Sequence, residues 1–132
     1  MKPLHFAVGL LATLTSVSLH AQTMDAHANI PFEFRVGDKL MPAGEYSIHS
    51  ATGWLELREN GRSPATAVTL TYATDLEVDT PVLQFKRFGE TYFLETLSNP
   101  GFTARAVAKG RLERELARRS SPAQSTVALK TR

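Results

Sequence analysis

The sequence predicts an all-β fold: one antiparallel domain, a sandwich or small open barrel of about seven strands, with a short C-terminal α-helix. Three observations predict it. From Ile30 onward apolar and polar residues alternate, the period of strands that bury one face. Asn60-Gly61 and Gly89-Glu90 fall between such runs and suit tight two-residue hairpins. Good helix formers gather only late, from Ala106 to Arg119.

The chain opens with an export address. Lys2 supplies a positive start, Phe6 to Leu19 is apolar or small apart from scattered Ser and Thr, and Leu19-His20-Ala21 offers a small residue at a cut. A run of about 14 apolar residues is too short to span a bilayer and reads as a signal peptide over residues 1–21. A second cut site follows Ala26-His27-Ala28. The expected location is the periplasm or the extracellular space. Residues 22–104 are expected to form the β domain, 105–119 a basic helix and 120–132 a disordered tail.

Within the β domain, Ile30, Phe32, Phe34 and Val36 alternate with Asn29, Pro31, Glu33 and Arg35. This predicts one strand, with Pro31 at an edge because proline cannot donate to a ladder. Gly37-Asp38 and Pro42-Ala43-Gly44 are turns, after which Tyr46 and Ile48 continue an inward face. Pairing outward from Asn60-Gly61 sets Leu57 opposite Pro64 and Leu55 opposite Thr66. That register puts Leu55, Leu57, Val68 and Leu70 on one face. Pairing outward from Gly89-Glu90 sets Phe85 opposite Leu94, Leu83 opposite Thr96 and Lys86 opposite Phe93, the last as a surface cation–π pair.

In the predicted helix, Ala108, Leu112 and Leu116 form a narrow apolar seam, and Gly110 marks a candidate start. Arg111, Arg114 and Arg118 form a separate basic stripe. From Ser120 onward large apolar residues are few, the composition of a disordered tail.

Composition narrows the function. The 132 residues include no Cys, which excludes disulfides, thiolate chemistry and a lipid-anchor cysteine. No second apolar run reaches membrane-spanning length, so no transmembrane segment is expected in the mature chain. Residues 22–104 carry six basic and eleven acidic side chains, whereas residues 105–132 carry eight basic and two acidic ones. An acidic body thus bears a basic end, which can rest on the body or reach an anionic partner.

The segment Ile30-Pro31-Phe32-Glu33-Phe34-Arg35-Val36-Gly37-Asp38-Lys39, followed by Pro42-Ala43-Gly44-Glu45-Tyr46, resembles the opening of a family of small exported bacterial proteins. Its members share a pattern close to P-F-x-F-x-V-G-x-K-x-x-P-A-G-x-Y. The likeness continues through Phe85-Lys86-Arg87-Phe88-Gly89, Tyr92-Phe93-Leu94 and Glu113-Arg114-Glu115-Leu116. That family is uncharacterised, so the resemblance implies an exported β protein and carries no activity or ligand.

Candidate sites are few. Tyr46, Trp54, Tyr72 and Tyr92 are candidate ligand-binding aromatics, set against the plainer reading of core and cross-strand partners. Asp75, Glu77 and Asp79 alternate and form a weak calcium candidate, set against a solvated strand edge or loop. No catalytic motif occurs, no catalytic residue is assigned, and no cofactor is expected. His49 adjoins Ser50, but neighbours on a strand point to opposite faces. Glu33, Glu45, Glu56, Glu59 and Glu95 supply carboxylates for a glycosidase-like pair. Arg111, Arg114 and Arg118 are candidate contacts for a partner or an anionic surface; export argues against nucleic acid. The leading expectation is a non-catalytic exported interaction module with an unknown envelope or extracellular partner. Its rivals are a small-ligand or carbohydrate-binding β domain and a hydrolase with paired carboxylates.

Overall fold

The computed structural model describes residues 24–59, 64–75, 77–101 and 103–131. The expected signal peptide and the Asn60-Gly61 corner lie outside them. Among the described residues the chain forms eleven strands and one short helix: β1 (Met24–Ile30), β2 (Phe34–Val36), β3 (Lys39–Met41), β4 (Gly44–Ala51), β5 (Trp54–Arg58), β6 (Ala65–Ala73), β7 (Val82–Phe88), β8 (Thr91–Asn99), β9 (Thr103–Val107), α1 (Arg111–Ala117), β10 (Ala123–Ala128) and β11 (Lys130–Thr131). The expected class therefore holds, with more and shorter strands than the sequence suggests.

The main path runs β10-β7-β8-β9-β6-β5-β4-β1-β11 and stays open. Strand β6 joins its two halves, since Ala65–Val68 pair with β5 and Thr69–Ala73 pair with β9. The pairing is not wholly antiparallel. Phe34 and Arg35 of β2 run parallel to Tyr92 and Phe93 of β8.

One core fills the space between the inward faces. Ile30, Phe34, Ile48, Leu55, Leu57, Leu83, Phe85 and Leu97 are all buried in it. An aromatic chain crosses it: Tyr92 stacks on Phe32 at 3.8 Å, Phe32 meets Phe85 edge-on at 5.0 Å, and Phe85 meets Phe34 at 5.5 Å. Phe34 in turn meets Tyr46 at 5.3 Å. The edge-on contacts at 5.0 to 5.5 Å suit the ring quadrupoles.

Several expectations need correction. The alternation of Ile30 to Val36 spans two strands, because Pro31 ends β1 and the chain resumes pairing at Phe34. Strand β1 is no edge over Ala26 and His27, where β4 and β11 flank it. Gly37-Asp38 does close a tight hairpin, with Val36 opposite Lys39 and Gly37 at φ 61°.

The β5–β6 register differs by one residue. Leu57 faces Ala65, Leu55 faces Ala67 and Trp54 faces Val68. Because side chains alternate, a slip of one turns a strand over. Ala65 is therefore buried, while Val68 and Leu70 are 70% and 75% exposed.

The β7–β8 hairpin begins as expected, with Phe88 opposite Thr91, Lys86 opposite Phe93 and Phe85 opposite Leu94. A bulge then intervenes and sets Leu83 opposite Leu97 rather than Thr96. Glu95 is the extra residue, and its insertion turns both Leu94 and Leu97 inward. Phe93 is buried, not a surface partner of Lys86, and packs edge-on against Phe88 at 5.9 Å.

The C-terminal region departs furthest from expectation. The helix is confined to Arg111–Ala117, with Gly110 at its N-cap, and residues 103–107 remain strand. Ala108 lies outside the helix and is exposed, whereas Leu112 and Leu116 are half-buried. The expected disordered tail is ordered instead. Ala123–Ala128 pair with Val82–Arg87 of β7, and Lys130 and Thr131 pair with His27 and Ala26 of β1. Leu129, between them, is buried in the core, and its amide donates to the Pro81 carbonyl at 3.0 Å.

Candidate functional site

The structure distributes the four candidate aromatics over three places. Tyr46 is 1% exposed, and its hydroxyl donates to the Pro42 carbonyl at 2.5 Å, tying the preceding turn to the core. Tyr92 is half-buried against Phe32, with the Arg87 guanidinium 6.0 Å from its ring centre. Trp54 and Tyr72 are exposed on the outward side of β5 and β6. They share that side with Val68 and Leu70, because Trp54 faces Val68 and residues 68, 70 and 72 alternate outward. The result is an apolar stripe of four large side chains, open to solvent.

A second feature is a cleft of about 550 Å³ at the opening of the sheet, a size that admits a small molecule. It lies where β1 and β4 meet the β10–β11 segment, and Ala28, Tyr46, Val127 and Ala128 are among its lining residues. Its polar residues are His27, Asn29, Glu45, Ser47, Arg58 and Lys130. The Arg58 guanidinium also pairs with Glu56 on its own strand at 3.1 Å.

The remaining candidates stay apart. Asp75, Glu77 and Asp79 are exposed in the connection after β6, not on a strand. No group of three His, Asp or Glu able to hold a metal occurs among the described residues. Arg111, Arg114 and Arg118 are exposed, and Arg111 pairs with Glu115 at 3.5 Å. His49 pairs with Asp25 directly across β1 and β4, while Ser50 is buried on the opposite side. The Ser–His geometry of a nucleophile is therefore absent at this pair.

One notable group was not legible as a site. Glu113 of α1 is 4% exposed. Burial pushes its carboxyl above the ordinary value of 4.5, and Glu95 adds to that rise, while Lys86 and Lys109 oppose it. Lys86 bridges to Glu95 at 3.1 Å, and the second oxygen of Glu95 is buried with no hydrogen-bond partner among the described residues. Lys86 of β7 and Glu95 of β8 therefore lie within electrostatic reach of Glu113 of α1. Sequence periodicity gives no warning of Glu113, because a carboxylate normally marks a helix's wet side. This carboxylate neighbourhood is separate from the cleft, whose carboxylate is Glu45.

Comparison of the chain with protein-family models, with curated proteins and with solved structures finds no match.

Proposed function

We propose that this protein is a non-catalytic interaction module that works outside the cytoplasm and binds a protein partner. The observation that carries the reading is the stripe of Trp54, Val68, Leu70 and Tyr72, with Val68 and Leu70 exposed at 70% and 75%. Neighbouring apolar side chains on a rigid sheet are costly to leave in water and mark contact surfaces. Their enrichment in Trp and Tyr matches the residues that dominate binding energy at interfaces. Export rests on Lys2, the apolar run Phe6–Leu19 and the small residue Ala21. The position of β1 supports cutting after Ala21, since cutting after Ala28 would remove most of that strand.

The test places a photo-reactive amino acid at position 70 of the protein expressed in its native envelope. The expected result is a discrete protein adduct that disappears when Trp54 is changed to Ala. If no protein adduct forms, or if the adduct survives Val68→Ser with Trp54→Ala, the reading fails. A second reading, binding of a small molecule, is favoured by the cleft beside β1.

A further inference from the structure

The strand register aligns four donors in a straight row across four neighbouring strands. Lys130 of β11 lies opposite His27 of β1, His27 lies opposite Ser47 of β4, and Ser47 lies opposite Arg58 of β5. Directly opposed residues project to the same side of a sheet at about 5 Å spacing. All four line the same cleft. The row thus presents an ammonium, an imidazole, a hydroxyl and a guanidinium, a set of hydrogen-bond donors with at least two positive charges. Two residues along the strands, Asn29 lies opposite Glu45, and both line the cleft as well.

We infer that this cleft binds a small molecule bearing an oxyanion group, such as a carboxylate, sulfate or phosphate, at the Lys130–His27–Ser47–Arg58 row. The inference rests on the second, small-molecule reading and is independent of the apolar stripe. Arg58 supplies a planar fork and Lys130 a mobile point charge, two complementary ways of meeting an oxyanion. The ion pair of Arg58 with Glu56 does not prevent this, because Arg58 is largely exposed and such pairs are weak and exchangeable. Glu45 gives the cleft polarity. It repels the anionic end of a ligand and accepts hydrogen bonds from hydroxyl or amide groups at the other end. A ligand with its charge at one end and hydroxyls at the other fits both rows.

The experiment uses the processed full chain, isotope-labelled, titrated with sodium sulfate, inorganic phosphate, glucuronate and, as the neutral control, glucose. Saturable amide shifts centred on His27, Ser47 and Arg58 are expected with at least one anion, and the tightest of the three identifies the source of the oxyanion. Arg58→Gln with Lys130→Gln should weaken binding by about tenfold or more. Glu45→Gln should strengthen sulfate binding by relieving repulsion, a response that a purely structural role would not produce. Melting temperatures of the variants establish that they are folded, and both positions are exposed enough to tolerate the change. The inference is overturned if no anion gives saturable shifts there. It is equally overturned if glucose matches the best anion, or if a folded Arg58→Gln/Lys130→Gln variant binds as tightly as the parent.

Discussion

The β5–β6 and β7–β8 hairpins have similar apolar content and opposite fates. In β7–β8 both faces are buried: Phe85, Leu94 and Leu97 look into the core, and Phe88 and Phe93 look the other way. Glu113 of α1 lies within electrostatic reach of Lys86 and Glu95 of those two strands. In β5–β6 one face supplies Leu55, Leu57 and Ala65 to the core, and the other leaves Trp54, Val68, Leu70 and Tyr72 in solvent. An apolar sheet face is thus not buried merely because it is apolar: the outer face of β7–β8 is buried, whereas that of β5–β6 stands open to solvent.

The contrast can be broken first at its shared support. Deleting residues 121–132 removes β10 from β7 and β11 from β1, and should abolish the cooperative urea transition, followed by far-UV circular dichroism. Next, Leu57→Ala on the covered side of β5–β6 should cost about 2–5 kcal/mol in urea unfolding, the usual range for a buried Leu. Gly89→Ala probes the corner of the other hairpin. With φ at 63°, an added Cβ should cost about 1–2 kcal/mol, seen as a lower unfolding midpoint.

The buried charge beside β7–β8 is probed by Glu113→Gln. A buried carboxyl whose pKa is raised in the folded state stabilises most below its unfolded value and loses that contribution as pH rises through the folded value. The melting temperature of the variant relative to the parent should therefore be higher at pH 7.5 than at pH 4. Smallest of all, Leu70→Ser should change stability by less than about 0.5 kcal/mol, because it only alters an exposed surface. Had the register placed Leu70 inside, the same change would cost several times more.

Much of this fold was legible. The period-two pattern revealed the class, and Gly37-Asp38 and Gly89-Glu90 marked real corners because a tight turn leaves glycine little competition. In β5–β6, pairing outward from a two-residue Asn60-Gly61 turn puts Val68 and Leu70 inside, and the apolar pattern agrees with it, yet the observed register lies one residue away. Pairing instead begins at Ala65, and the continuation of β6 sets Thr69 opposite Val107 of β9. That distant neighbour fixes the face, and no local pattern announces it. The tail departs from its expected disorder for a related reason. Gln124, Ser125 and Thr126 look unfit for a core, yet β10 borrows the order of β7, while Val127 and Leu129 supply the apolar contact.

For the candidate sites, sequence identified residue types but not their company. Trp54 and Tyr72 were singled out, and Val68 and Leu70 joined them only through the register. The cleft's donor row was invisible, since Lys130, His27, Ser47 and Arg58 are distant in sequence and become neighbours through three separate pairings.

The seam between β1 and β11 also bears on how the molecule is made. Strand β1 gains its β11 neighbour only from residues synthesised about a hundred positions later, so that pairing is a long-range contact that waits for the segment carrying it.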